Sequence, residues 1–67
     1  MKNIVATELS NLGFTTRITQ TGVLVSLNRV ITQMEVETAL EQIVEGAEFT
    51  IYQVQRNMFH VVTEESN

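Results

Sequence analysis

The sequence has no cysteine, no proline, no tryptophan and no aspartate, and each absence removes a class of explanation. Without cysteine there is no disulfide framework, iron–sulfur cluster or cysteine-ligated zinc. Without aspartate the usual Ser-His-Asp set cannot be assembled. Glutamate could substitute, but no serine lies in a glycine-bounded elbow. Three glycines, each isolated, make no phosphate-cradling loop. The one histidine, His60, has no second imidazole or thiolate with which to complete a metal site, so it reads as a structural residue of a strand. No apolar run approaches the ~20 residues of a membrane span. The N-terminal segment, with one lysine and no long apolar core, does not read as a signal peptide. The expectation is a soluble cytoplasmic protein with no cofactor, no metal, no catalytic residues and no enzymatic activity.

What is present is an ordinary globular balance, 43% apolar and 18% charged over 67 residues. It reads as one compact domain over residues 1–63 with a short acidic and polar tail, 64–67. A chain this small without a covalent staple must pack unusually well or associate.

The net charge of −4 is unevenly spread. Residues 1–31 carry Lys2, Arg17 and Arg29 against Glu8, a balance of +2. Residues 32–48 carry Glu35, Glu37, Glu41, Glu45 and Glu48 with no base, a balance of −5. Residues 49–67 carry Arg56 against Glu64 and Glu65, a balance of −1.

The pattern of residues predicts helix, hairpin, helix, hairpin. From Lys2 to Leu12, the apolar Ile4, Val5, Leu9 and Leu12 share one arc at helical spacing, and Gly13 follows as a left-handed C-terminal cap. Phe14 to Asn28 reads as two strands joined at Thr21-Gly22, with Phe14, Ile18, Val23, Val25 and Leu27 on one face and positive φ at Gly22. Thr32 to Gly46 reads as the second helix. Thr32 and Glu35 form a capping box, Val36, Ala39, Leu40, Ile43, Val44 and Ala47 share one face, and Gly46 closes the helix. Phe49 to Gln55 and Met58 to Thr63 make a second hairpin turning at Arg56-Asn57, with positive φ expected at Asn57. The two hairpins align at an offset of 35, Phe14 on Phe49, Thr15 on Thr50, Gln20 on Gln55, Gly22 on Asn57 and Leu27 on Val62, which suggests an αββ duplication.

The order αββαββ implies an α+β two-layer sandwich, a four-stranded antiparallel sheet with both helices on one face. It is the order of a ferredoxin-like fold whose first strand has moved to the end of the chain, a topology that hosts many functions.

Three surfaces follow. If the second hairpin copies the first, Phe49, Ile51, Met58, His60 and Val62 point to the helices. Leu24, Tyr52, Val54, Phe59 and Val61 then form an uncovered apolar face. Such a face marks an interface, here the seam of a homodimer. If the analogy fails, Tyr52, Val54, Phe59 and Val61 pack on the helices, and Ile51, Met58, His60 and Val62 are the exposed set. The acidic residues Glu37, Glu41, Glu45 and Glu48 form a docking face for a basic protein, or otherwise a solvated face or a mimic of a nucleic-acid phosphate row. The alternative from another class is single-stranded nucleic-acid binding through Arg17, Tyr52 and Phe59, because open sheets stack bases on aromatic rings. With four bases against eight glutamates, nucleic acid is the weaker reading. A hydrolase centred on His60 is weaker still. The expected function is that of a small regulatory or protein-binding module acting as a homodimer.

Overall fold

A computed structural model describes residues 1–46 and 48–63. Ala47 and the expected tail lie outside the described residues. The elements run α1 (Lys2–Asn11), β1 (Thr15–Ile18), β2 (Gly22–Ser26), α2 (Gln33–Ile43), β3 (Thr50–Gln55) and β4 (Met58–Val62). The strands form one antiparallel sheet in the order β1-β2-β4-β3. This is the expected two-layer sandwich. Each hairpin supplies one central and one edge strand, as the permuted ferredoxin-like order requires.

Helix α1 is weak by propensity and is held by its ends and its packing. Gly13 has φ 105°, the left-handed region where glycine is favoured. The Gly13 N–H donates to Ser10 O at 3.0 Å and the Phe14 N–H to Leu9 O at 3.1 Å, a Schellman motif that satisfies the last carbonyls. Lys2 Nζ donates to the carbonyls of Thr19 and Gln20, each at 3.0 Å, tying the start of α1 to the β1–β2 turn. The buried face is Val5, Ala6 and Leu9. Ile4 (60% exposed), at one edge of the expected arc, and Leu12 (47%), within the arc but at the C-cap of the helix, stay in solvent.

Helix α2 begins as the sequence predicts. Thr32 Oγ1 accepts from the Glu35 N–H at 3.2 Å, and Glu35 Oε2 accepts from the Thr32 N–H at 2.7 Å. Thr32→Ala should lower stability by about 1 kcal/mol, or roughly 4–8 °C in Tm. The Arg29 guanidinium, 2.9 Å from Glu35 Oε1, is the main influence that lowers the Glu35 pKa from its ordinary 4.5, and the Thr32 N–H is the next. A lowered folded-state value means that the carboxylate stabilises the fold above pH 4.5 and loses that effect as pH falls through the folded value. The Tm gap between wild type and Glu35→Gln should therefore narrow on acidification in a thermal melt series. A gap independent of pH would contradict the pairing.

The end of α2 departs from expectation. The helix stops at Ile43, and Val44 is already extended with φ −131° and ψ 94°. Gly46, with φ 78°, sits in the turn beyond rather than closing the helix.

The core lies between the sheet and the helices. It comprises Val5, Ala6 and Leu9 of α1, Val23 and Val25 of β2, Val36, Ala39 and Leu40 of α2, Phe59 and Val61 of β4, and Ile31 from the β2–α2 connection. Phe14, Leu27, Ile43, Phe49 and Ile51 pack around it.

The two hairpins share one register. Thr15↔Ser26, Thr16↔Val25, Arg17↔Leu24 and Ile18↔Val23 correspond one for one to Thr50↔Val62, Ile51↔Val61, Tyr52↔His60 and Gln53↔Phe59. The offset is 35 along the first strand of each and 36 along the second, because β3 carries a β-bulge between Gln53 and Gln55. That extra residue reverses the faces of β4 relative to the constant-offset alignment. Phe59 and Val61 therefore point to the helices with Val25 and Val23, their partners on β2, while Met58, His60 and Val62 point away. This corrects the placement of all five under the hairpin analogy: β4 takes the alternative arrangement, while β3 keeps the first, with Ile51 inward and Tyr52 outward.

The turns also differ in cause. Neither Gly22 nor Asn57 has positive φ. The first turn is Gln20-Thr21, one residue earlier than expected, with Thr19 N–H donating to Gly22 O at 2.8 Å. Gly22 is glycine because the β4 backbone passes against it: a Cβ there would collide with the Val61 carbonyl oxygen. Asn57 instead donates from Nδ2 to Leu27 O at 2.7 Å and accepts at its carbonyl from the Leu27 N–H at 3.1 Å. It fastens the β3–β4 turn to the end of β2.

Candidate interaction surfaces

Pleating sends alternate residues of each strand to opposite faces. On the side away from the helices, one row crosses all four strands: Arg17 (β1), Leu24 (β2), His60 (β4) and Tyr52 (β3). Strands lie about 4.8 Å apart, so the ends of the row are about 14 Å apart. Tyr52 is 58% exposed and Arg17 is exposed, while Leu24 and His60 are half-buried between them. Among the described residues, Arg17 has no ion pair. Met58 and Val62, both half-buried, flank His60 on β4. Val54 occupies the bulge on β3 and is 51% exposed.

Of the five residues expected on this apolar face, Leu24 and Tyr52 are on it and Val54 stands at its edge. Phe59 (2% exposed) and Val61 (0%) are core residues and belong to no surface. The expected base-stacking trio of Arg17, Tyr52 and Phe59 is likewise not assembled. Tyr52 and Phe59 point to opposite faces, and Arg17 and Tyr52 stand on opposite edge strands.

His60 has a structural partner. Its Nε2 is within hydrogen-bond distance of Thr19 Oγ1, at 2.9 Å, and that oxygen accepts from the Gly22 N–H at 3.0 Å. The imidazole thus supports the β1–β2 turn from the neighbouring strand. Among the described residues, no group of three His, Cys, Asp or Glu side chains could hold a metal ion. No helix among them is long and apolar enough to cross a membrane.

The acidic residues are reorganised by the early end of α2. Glu37 and Glu41 sit one turn apart on its exposed face, and the chain then folds back so that Glu48 joins them. These carboxylates rim a groove of about 380 Å³ whose floor is Leu40, Phe49 and Ile51. Gln33 Nε2 donates to Glu37 Oε2 at 3.3 Å. Glu45 is exposed but lies past the helix end and outside the groove. Of the four residues expected on the acidic face, Glu37, Glu41 and Glu48 are together, and Glu45 is left out because the helix ends before it.

A second groove, of about 390 Å³, was not expected. It lies between the C-terminal end of α1 and α2, lined by Leu12, Phe14, Met34 and Ala39 with Thr38 and Gln42. Met34 falls off the arc of Val36, Ala39 and Leu40, so its exposure was readable from spacing. The exposure of Leu12 was not. Every described carboxylate lies on a helix or in the connection after α2, and none on the open face of the sheet. Comparison with protein-family models, curated proteins and solved structures gives no match, so the surfaces themselves must carry the functional reading.

Proposed function

We propose that this is a non-enzymatic protein-binding module that works as a homodimer, with the open sheet face as its seam and the Glu37, Glu41 and Glu48 groove turned outward to a basic protein. The observation that carries this reading is the composition of the open face. Leu24, Met58, Val62 and Tyr52 are uncovered there, and no described carboxylate intrudes. On an acidic chain this is the side on which two copies can meet without like-charge repulsion. Face-to-face sheets lie about 10 Å apart, and each helical layer stands about another 10 Å behind its sheet. The two acidic helices would be about 30 Å apart, well beyond a Debye length of about 8 Å.

The test is sedimentation equilibrium of wild type and of Leu24→Glu/Tyr52→Ser. Wild type should be a concentration-dependent dimer. The variant should be monomeric, with its helical circular dichroism retained. A wild type that stays monomeric throughout overturns the seam. The groove is tested separately with Glu37→Lys/Glu41→Lys/Glu48→Lys, which should abolish retention on a poly-lysine surface at low salt but leave the dimer intact.

A further inference from the structure

Resting on the homodimer reading above, we infer how the two copies meet: their twofold axis runs parallel to the strands, between Leu24 and His60, so that Arg17 of each copy lies over Tyr52 of the other. The inference comes from the asymmetry of the central row. It reads Arg17, Leu24, His60, Tyr52 from edge to edge, a cation at one end and an aromatic ring at the other.

A face-to-face dimer of one sheet has an axis in the plane between the faces, and two orientations keep the strands aligned. An axis across the strands sets Arg17 on Arg17 and Tyr52 on Tyr52. That buries two like charges against each other and leaves both rings without a cation. An axis along the strands reverses the row. Arg17 then meets Tyr52 at both ends, and Leu24 meets His60 in the middle.

The dimensions fit. Stacked sheets lie about 10 Å apart, and a guanidinium within about 6 Å of a ring centroid is attracted to its face. The Arg17 side chain rises from one sheet to meet a ring standing on the other. Tyr52 is exposed and Arg17 has no ion pair among the described residues, so neither must surrender an existing partner of that kind. The pairing is isologous: each copy gives one cation and one ring, and the assembly closes at two.

The absence of native cysteine makes this directly testable. Arg17→Cys and Tyr52→Cys chains are prepared separately, then treated alone and as a mixture with a bismaleimide spanning about 10 Å, the separation of stacked sheets. The mixture should give a cross-linked heterodimer in at least tenfold excess over either variant alone. A heterodimer keeps one intact Arg17–Tyr52 pair, whereas each variant homodimer keeps none. Cross-linking of Arg17→Cys alone, to the level of the mixture, overturns the inference in favour of the crosswise axis. A dimer in sedimentation with no cross-link in the mixture also overturns it, because the copies then meet on another surface while the homodimer reading survives. A wild type that sediments as a monomer removes the homodimer itself. Loss of the cross-link on adding oligothymidylate at low salt would give the face to single-stranded nucleic acid instead.

Discussion

Gly22→Ala is expected to destabilise the protein by about 3 kcal/mol or more, a fall in Tm of roughly 12–24 °C. The reason is steric. A Cβ at this position meets the Val61 carbonyl oxygen, with the Thr63 nitrogen at 3.0 Å, and both belong to backbone. No side chain can swing away to make room. The relief is to part β2 from β4, which breaks the Thr63 N–H to Thr21 O bond of 3.0 Å and shifts the Val23–Val61 pair in the core. A domain of this size has only a few kcal/mol of stability, so much of the population should be unfolded at 37 °C. Gly13→Ala is the control. Nothing lies within 4 Å of its Cβ position, and its cost is the positive φ alone, about 1 kcal/mol. Thermal melts followed by circular dichroism compare the two. Equal effects would mean that conformation rather than close approach selects glycine at position 22.

Phe59→Ala should be comparably severe, about 3–5 kcal/mol, from lost burial and an unfilled cavity. Phe59 is 2% exposed at the centre of the sheet, opposite Val25 on β2 and Gln53 on β3. Tyr52→Ser, on the other face, should change the stability of the isolated chain by no more than about 0.5 kcal/mol. Urea titrations at a concentration low enough to keep the chain monomeric separate these effects. The contrast tests the faces of the second hairpin directly. A mild Phe59→Ala with a severe Tyr52→Ser would place β3 and β4 the other way round.

Some of this structure is written in local chemistry, and that part is legible without coordinates. Thr32 and Glu35 announce a helix start because each satisfies the other's backbone donor. Gly13 ends α1 because only glycine takes φ 105° cheaply. The order of elements, and with it the sheet topology, follows from such signals. The faces of β4 do not, although those of β3 up to the bulge, with Ile51 inward and Tyr52 outward, do. A strand alternates with period two, so one bulged residue exchanges everything beyond it, and nothing in Gln53-Val54-Gln55 marks a bulge. Phe59 and Val61 were therefore expected on a surface and lie in the core. Local pattern assigns Gly22 and Asn57 to turn conformation. Their actual reasons, a passing backbone and a bond to Leu27, involve residues about 30 to 40 positions away. For the interaction surfaces, Leu24, Tyr52, Glu37 and Glu41 were legible. So was Glu48, whereas the loss of Glu45 from that face depends on an end to α2 that its composition does not mark.

The bulge at Gln53–Gln55 also bears on what the protein does at high concentration. An open four-stranded sheet has two bare rims, and a straight rim can template a further strand from a neighbouring chain, then another, without limit. Here the β3 rim is broken by the bulge, so its row of donors and acceptors is no longer evenly spaced. The β1 rim is four residues long and is tied to α1 by a bond from Thr16 Oγ1 to Ala6 O at 3.3 Å. A short strand at one rim and a bulge at the other both disfavour strand-by-strand growth into fibres. The same inserted residue that turns Phe59 and Val61 into the core thus steers self-association away from open-ended polymerisation.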